Sequence, residues 1–352
     1  MSDRADFDGR GCPSPLLHHT SIQLAHGAGG RLSSELIERV ILPRFSNRIL
    51  DRLEDQAVLQ LPAGRVAFST DTFVVDPIEF PGGNIGDLAI NGTVNDVAMG
   101  GATPLYLSLG FVLEEGLEVD VFCRILDSMS AAAAKAGVMI VTGDTKVVDR
   151  GACDRIFINT SGLGIVREGV SLSATNIQAG DRVLLSGTIA DHGMAVLTSR
   201  EGLSFRSSVR SDTCALNGLV ADLMDASPNL RALRDPTRGG IATTLNEFAK
   251  AAGVGIRLQD HAIAVRDDVR GACEVLGIDP MYVANEGKLI AVMPEDEAEA
   301  ALAAARANAA GGAAAIIGEV TAEHAGMVSL VTALGSERIV DMPVGEQLPR
   351  IC

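Results

Sequence analysis

The sequence predicts an α+β protein built from two domains. Its 352 residues are enough to form two separate cores. Segments with strand-like and helix-like patterns alternate irregularly, and no dinucleotide-binding fingerprint follows the first strand. A polar, turn-rich stretch at 167–181 separates two such series. We therefore expect an N-terminal extension, a first α/β domain, a second α/β domain and a flexible C-terminal tail, at 1–22, 23–170, 171–340 and 341–352.

The first domain opens with a glycine-rich loop at 24–30 and an amphipathic helix. One strand is predicted to end directly on Asp71, and another to lead into a loop with the sequence GDTK at 143–146. The strands of this domain are predicted at 66–70, 138–142 and 155–166. Polar residues thus lie where strands give way to loops, which is where functional residues concentrate.

A helix predicted from Asn84 to Gly101 combines an apolar side with a polar stripe. Asp87, Asn91 and Asn95 recur every four residues and therefore share one face of this helix. A helix this apolar normally buries its other face as well. The stripe therefore predicts a wet or metal-lined cleft beside the helix.

The second domain begins with a predicted strand at 182–187. A loop with the sequence DPTRGG, at 235–240, leads into an amphipathic helix. A strand is then predicted across 281–293, an alanine-rich helix over 296–310 and a further strand over 312–320.

The composition indicates a globular protein and excludes several classes of function. Apolar residues make up 47% of the chain and charged residues 21%. The formal net charge of −16 argues against nucleic-acid binding, which requires a basic surface, but suits a ligand carried as its magnesium complex. No apolar run approaches the roughly 18–20 residues that span a bilayer, and the first residues do not resemble a signal peptide. We therefore expect a cytoplasmic protein with no membrane partner.

Four aspartates form the first group of candidate site residues: Asp55, Asp71, Asp96 and Asp144. Hard cations such as Mg²⁺ require several oxygen ligands that converge from different segments, and metal ions on phosphate oxygens stabilise phosphoryl transfer. A single aspartate is more often a turn or cap residue. Taken together, beside the polar stripe, the four favour a metal site.

Two glycine-rich loops that precede helices form the second group. Glycines let backbone N–H groups approach an anion, and a helix N-terminus favours negative charge. Neither loop is a Walker A or Rossmann sequence, and each is also compatible with an ordinary turn. The candidate residues for cofactor binding are His26, Gly27, Gly29, Gly30, Asn91, Thr237, Arg238 and Gly239.

Lys146 and Glu286 each lie in a polar tetrapeptide attached to an apolar strand, GDTK and NEGK. A partly buried pair of this kind can relay a proton. The alternative is a structural salt bridge or two unrelated surface residues, and periodicity alone favours that alternative.

The last candidate is Cys352, at the end of the sequence PRIC. A thiol on a mobile tail can visit a site on another protein and return to its own. The adjacent α-carboxylate disfavours the thiolate, so a binding site would have to activate this thiol. The alternative is a terminal cysteine without function.

At these residues the sequence resembles a known family. The segments STDTFVVDP, NGTVNDVAMGGATP, TGDTKVV, SGTIADHG, RDPTRGG, LGIDPMYVANEGKL and the terminal PRIC occur in this order from about Ile22 to Cys352. Together they resemble the HypE family, the carbamoyl dehydratase maturation factor of nickel–iron hydrogenases, within the aminoimidazole ribonucleotide synthetase superfamily. Short pieces such as GDTK are shared across that superfamily, whereas NEGK together with a terminal PRIC is specific.

The resemblance implies a two-domain fold in which the N-terminal sheets of two subunits pair into a barrel, and hence a homodimer. It also implies that a partner carbamoyltransferase loads Cys352, and that ATP with Mg²⁺ drives dehydration of the carbamoyl group to a thiocyanate. An iron-carrying scaffold complex of other maturation factors would then accept the cyanide.

The resemblance further implies roles for single residues. Asp71, Asp96 and Asp144 match the ATP–metal site, and Lys146 with Glu286 matches a proton relay. His26 and the GAGG loop resemble the segment that closes over the phosphates, and Arg238 resembles a phosphate-side residue. Two departures weaken the match locally: Gln56 after Asp55, and Ala190 where glycine is usual.

Other readings stay open at this stage. Purine-pathway synthetases, a thiamine-phosphate kinase and selenophosphate synthetase would share the aspartates, but none requires a terminal cysteine. A selenophosphate synthetase would carry a reactive cysteine beside a lysine near its N-terminus, and Cys12 lacks that context. A non-catalytic maturation scaffold would use the tail only as a docking peptide.

Overall fold

The structure, a computed structural model, describes residues 19–200, 208–343, 345 and 350–352. Most of the expected N-terminal extension and residues 344 and 346–349 of the expected tail lie outside this range. Among the helices that it describes, none is both long and apolar enough to cross a membrane.

In the first domain, two long helices pack against one face of a four-stranded sheet. The sheet order is β1-β6-β4-β5, and only β4 and β5 run parallel. In chain order its elements are α1 (Arg31–Leu36), a π-helical turn (Ile37–Ile41), α2 (Leu42–Phe45), β1 (Val66–Phe73), β2 (Glu79–Phe80), β3 (Gly83–Asn84), α3 (Ile85–Met99), β4 (Ala102–Glu114), α4 (Val119–Ala136), β5 (Met139–Val148) and β6 (Ile156–Val166).

The two faces of this sheet differ because side chains alternate along each strand. The covered face packs against α3 and α4, and residues such as Leu107 of β4 are buried there. On the open face, Phe68, Leu163, Tyr106 and Met139 form one row across all four strands. Phe68 is 66% exposed, so this row presents apolar surface.

Helix α3 lies unusually close to the sheet because glycines face it. A Cβ at Gly162 would lie 2.8 Å from Thr93 Cγ2, and a Cβ at Gly164 would lie 2.6 Å from Val97 Cγ1. The hydroxyls of Thr93 and Thr160 are hydrogen-bonded, and Thr160 also donates to the main-chain oxygen of Ala89 in α3. No larger residue fits at these two glycines without displacing the helix.

The second domain is built on a seven-stranded sheet in the order β13-β12-β9-β11-β7-β10-β8. Its neighbouring strands are antiparallel, except for β9 and β12. Its elements are β7 (Arg182–Leu185), α5 (Asp191–Thr198), α6 (Asn217–Ala226), β8 (Ala232–Arg234), α7 (Gly240–Ala252), β9 (Gly255–Gln259), α8 (Asp267–Leu276), β10 (Ile290–Met293), α9 (Glu295–Ala307), β11 (Ala315–Thr321), β12 (Val328–Val331) and β13 (Glu337–Ile339).

Several predicted boundaries were wrong. Strand β1 runs through Asp71 to Phe73, and β5 includes the whole GDTK sequence, so neither aspartate follows a strand end. The strand predicted over 281–293 is limited to Ile290–Met293. A 3₁₀ turn at Pro280–Tyr282 and an irregular turn around Glu286 occupy the rest, because the main chain there bonds to the Asp212 side chain and to Pro236 O and not to a neighbouring strand.

Candidate functional site

Three carboxylates from three different elements meet where the two domains join. Asp71 lies in β1, Asp96 lies in α3, and Asp235 follows β8. Ser69 Oγ donates a hydrogen bond to Asp96 Oδ2 at 2.8 Å, which ties α3 to β1 at this point. Burial raises the pKa of Asp71, and burial together with the charge of Asp71 raises the pKa of Asp96. Burial and then the charge of Asp96 raise the pKa of Asp235 to about 7.

This acid cluster, Asp71, Asp96 and Asp235, fits a hard divalent cation. Its carboxylates repel one another, and Arg238 is the cationic side chain that opposes both Asp71 and Asp96. Within the described part of the chain, no three His, Cys, Asp or Glu side chains are arranged to hold a metal ion by themselves. Mg²⁺ usually takes one or two carboxylates and completes its shell with waters and substrate phosphates, so an incomplete set of carboxylates is what such a site requires.

Glu286 lies beside the acid cluster in a tightly held turn. It is 3% exposed, and its Oε1 has no hydrogen-bond partner within the described residues. Burial, followed by the charges of Asp235 and Asp212, raises its pKa well above the usual value. Asp212 accepts hydrogen bonds from the backbone N–H groups of Glu286 and Gly287, both at 3.2 Å, and from Lys288 Nζ at 3.0 Å. The turn therefore presents a buried carboxyl group with one oxygen available to a ligand.

The loop before α7 and the end of the chain line one cavity of about 630 Å³. Gly240 turns this loop with φ +60°, and a Cβ at that position would lie 2.5 Å from the oxygen of Met281. Thr237 supports the turn by accepting a hydrogen bond from Gly240 N at 3.0 Å. The cavity lining includes Thr72, Arg238, Gly239, Tyr282 and Cys352.

The last three residues are docked against the first domain. Cys352 O accepts a hydrogen bond from Val74 N at 3.2 Å, and Ile351 is only 3% exposed within the core of that domain. The Arg350 guanidinium forms ion pairs with Asp76 and Asp154. The end of the expected flexible tail is thus held inward, with Cys352 at the cavity that Arg238 and Gly239 line.

A second cavity, of about 390 Å³, lies at the opposite edge of the sheet. Its lining includes His26, Gly27, Gly29, Asp144 and Lys146. Lys146 Nζ lies 2.8 Å from Asp144 Oδ2, and this hydrogen bond lowers the pKa of Asp144. His26 is 1% exposed; its Nδ1 accepts from Gln23 N at 2.8 Å, and its Nε2 has no partner within the described residues. A Cβ at Gly27 would lie 2.6 Å from Val147 N, so this loop requires glycine to lie against β5.

The two cavities are separate within one chain. In register, Asp71 faces Thr160, Thr160 faces Leu109 and Leu109 faces Gly143, so Asp71 and Asp144 are three strands apart. Three strand spacings amount to ~14 Å. Asp144 and Lys146 also lie on the open face, whereas Asp71 points toward α3. One chain therefore does not unite the four predicted aspartates, nor does it bring Lys146 to Glu286.

The remaining predicted residues lie near these cavities. Asp55 is exposed, between Glu54 and Gln56 of the second cavity, and Gly30 is the residue before α1. Asn91 donates to Thr213 Oγ1 at 3.1 Å, and Asn95 donates to Cys214 O at 3.1 Å. The sequence predicted a wet or metal-lined cleft along this polar stripe. In the structure, Asn91 and Asn95 of the stripe instead hydrogen-bond to the segment 213–216.

Sequence reasoning missed three residues of this region: Asp235, Asp212 and His192. Asp235 stands in the DPTRGG sequence, directly before the proposed phosphate-side residues, so its position after a strand could have revealed it. Asp212 carries no recognisable signal. His192 stands in the segment SGTIADHG, but no role was indicated for it, because the partners of these two residues lie 74 and 159 residues away in sequence.

Comparison with known proteins shows which family the chain resembles. Residues 53–166 match the AIR synthase related protein, N-terminal domain, and residues 178–330 match its C-terminal domain. The chain is 53% identical over 336 residues to carbamoyl dehydratase HypE of Azotobacter vinelandii, covering 96% of this chain and 98% of that protein.

Solved structures give the same result. A crystal structure of hydrogenase maturation protein HypE in complex with ATP superposes with a TM-score of 0.90 at 50% identity, covering 94% of this chain and 99% of that one. HypE in a HypE–HypF complex superposes with a TM-score of 0.77 at 48% identity, covering 88% and 99%.

Proposed function

The chain belongs to the HypE family of carbamoyl dehydratases, and from this premise we propose that it uses ATP to dehydrate a carbamoyl group carried on its own Cys352. The observation that carries the proposal is the docked terminus. Cys352 lies in the cavity lined by Arg238 and Gly239, and Arg238 is also the cation whose charge acts on Asp71 and Asp96 of the acid cluster. The thiocyanate formed there would supply cyanide to the iron of a nickel–iron hydrogenase.

The reaction balances as S–C(=O)NH₂ plus ATP giving S–C≡N, ADP, phosphate and a proton. The carbamoyl oxygen attacks the γ-phosphoryl group, because an amide oxygen leaves poorly until it is phosphorylated. The nitrogen loses two protons, the C–N bond becomes triple, and the C–O bond breaks to release phosphate. Arg238 would bind phosphate oxygens, and the glycine loop would let backbone N–H groups approach them.

The acid cluster would hold Mg²⁺, which supplies charge neutralisation at the phosphates. Glu286 Oε1 would face the carbamoyl group, because it is a buried polar atom without a partner among the described residues. Burial around it would keep water from competing with the tail for the phosphoryl group.

We assign Lys146, Asp144 and His26 to the same reaction through a second copy of the chain. The open face of the sheet presents an apolar row that includes Phe68, which a barrel between two subunits would cover. Such a homodimer would bring the second cavity of one subunit to the acid cluster of the other.

Mixed dimers test this assignment. Lys146→Ala and Glu286→Gln chains, each strongly impaired alone, would regain roughly a quarter of wild-type turnover when exchanged at equal amounts, because half the dimers would carry one intact site out of two. If turnover stays at the level of the single variants while exchange is complete, both residues act within one chain and the assignment is wrong.

The partners follow from the same scheme. A carbamoyltransferase like the HypF seen with the related HypE would load Cys352 while the tail is outward. An iron-bearing scaffold of other maturation factors would then accept the cyano group.

Intact mass spectrometry tests the central proposal. The chain is carbamoylated on its thiols, treated with Mg-ATP and digested to locate the change. We expect the Cys352 peptide to lose one water only with ATP, and Cys352→Ala to abolish product while ATP binding and fold persist. Cys123→Ala, in helix α4, is the matched control and would react normally. Thiocyanate from the Cys352→Ala chain, or an unchanged carbamoyl group on the wild type, would refute the proposal.

A further inference from the structure

The docked terminus is held mainly through its main chain. Arg350 O accepts from Asp76 N at 3.2 Å and from the Arg200 guanidinium at 3.0 Å, while Cys352 O accepts from Val74 N. The oxygen between them, Ile351 O, lies 2.9 Å from His192 Nε2. A main-chain oxygen of each of the three residues is therefore bound, and the side chain of His192, in the second domain, binds the middle one.

His192 is built into this position. It is completely buried at the start of α5, and its ring meets Phe80 edge-on with centroids 5.4 Å apart. Its Nδ1 lies 2.8 Å from Ser211 Oγ, which itself accepts from Thr213 N at 3.1 Å. The consistent assignment has Thr213 N–H donating to Ser211, Ser211 O–H donating to Nδ1, and Nε2–H donating to Ile351 O. Burial lowers the pKa of His192, which favours the neutral imidazole of this assignment.

Asp212, the residue that follows Ser211, links the same hydrogen-bond network to Glu286. Asp212 accepts from the backbone N–H groups of Glu286 and Gly287, and its side chain is 5% exposed. The dipeptide Ser211–Asp212 thus contacts the histidine that binds the tail on one side and the turn that carries Glu286 on the other. Two consecutive residues have little freedom to move independently when both side chains are bonded.

We propose that His192, oriented by Ser211, is a positioning residue that fixes the register of the docked tail and so places the Cys352 side chain relative to Glu286. This inference rests on the proposed function for its catalytic meaning, but the docking contact can be measured without turnover. A single hydrogen bond to a main-chain oxygen sets register because a shift by one residue would leave a buried donor and a buried oxygen unpaired.

Two amide substitutions of His192 distinguish the effect of its hydrogen bond to Ile351 O from the effect of its packing. The amide nitrogen of His192→Gln reaches the position of Nε2 and can still donate to Ile351 O, whereas the shorter His192→Asn reaches only the position of Nδ1. His261→Asn, at an exposed site, is the matched control. The first readout is the rate at which a small alkylating reagent modifies Cys352. The second is the single-turnover rate of the carbamoylated chain at saturating Mg-ATP, with ATP affinity measured beside it.

We expect His192→Asn to expose Cys352 to alkylation about 3- to 10-fold more, because a neutral buried hydrogen bond contributes about that factor to docking. The single-turnover rate of His192→Asn should fall while its ATP affinity stays at the wild-type value. The His192→Gln chain should keep most of the protection of Cys352 from alkylation and most of the single-turnover rate. Equal, wild-type alkylation in the two variants would overturn the proposal, and so would a His192→Gln chain as impaired as His192→Asn. A wild-type chain that never dehydrates its carbamoyl group would refute the proposed function alone, since the alkylation rates would still decide the role of His192.

Discussion

Replacing Asp235 by asparagine should stabilise the ligand-free protein and weaken its response to Mg-ATP. Burial and the charge of Asp96 raise the pKa of Asp235 from its usual value of 3.8 to about 7. An acid whose pKa is higher in the folded state binds its proton more tightly there, so folding stability falls as the pH rises from about 3.8 to about 7. Below this pH window the Asp235 carboxyl does not reduce the free energy of unfolding, and above the window the reduction is complete.

The size of the penalty follows from the shift. Each pKa unit corresponds to about 1.4 kcal/mol, so the shift of Asp235 amounts to at most about 4 kcal/mol at pH 8. Between pH 5 and pH 8 the expected change is about 2–3 kcal/mol. Asp235 keeps some contact with solvent, which makes these upper limits. Asparagine cannot ionise, so it removes this part of the pH dependence.

Urea unfolding at pH 5 and pH 8, with and without Mg-ATP, measures the effect. Asp235→Asn should be more stable than wild type at pH 8, about equal to it at low pH, and less stabilised by Mg-ATP at both. Asp260→Asn, an exposed control, should behave as wild type. If Asp235→Asn retains the wild-type pH dependence of unfolding, the ionised Asp235 carboxyl does not destabilise the folded protein. Its assignment to the acid cluster would then be wrong.

Three further predictions concern the buried acid, the tail and the loop before α7. Glu286→Gln should bind ATP normally but slow single-turnover dehydration at least ~100-fold, as expected for loss of a proton-transfer group; normal turnover by mass spectrometry would exclude Glu286 from the reaction. Ile351→Ala should weaken docking by about 2–4 kcal/mol, seen as faster alkylation of Cys352, because the isoleucine is 3% exposed; unchanged alkylation would mean that the side chain is no anchor. Gly240→Ala should lower the melting temperature more than Gly277→Ala. Both glycines have a positive φ, but only at Gly240 would a Cβ meet the backbone, 2.5 Å from Met281 O. Equal losses of melting temperature would contradict this.

Periodic sequence patterns predicted the long elements well. The helix expected from Asn84 to Gly101 is confirmed as Ile85–Met99, and the helix expected over 296–310 as Glu295–Ala307. Boundaries failed where polar residues lie inside strands. The turn preference of aspartate and glycine predicts that strands end at Asp71 and at the GDTK sequence, but ladder pairing with β6 and β4 continues through them.

The site was predictable as a set of residues but not as an arrangement. Sequence spacing does not give strand order, so nothing in it indicated that Asp71 and Asp144 occupy opposite edges and opposite faces of the sheet. Nor does it indicate long-range polar contacts. His192 meets Ile351 across 159 residues, and a lone histidine in an apolar helix carries no sign of such a partner.

The glycine-lined contact between α3 and the sheet has a consequence for motion. Gly162 and Gly164 leave no layer of flexible side chains between the helix and β6, so the two cannot slide or tilt past each other by rotamer changes. We expect the backbone amides of α3 to be among the slowest to exchange with deuterium, opening only when the whole domain unfolds. Asp96 is then carried on a fixed support, and whatever rearrangement admits a nucleotide must come from the loops around it.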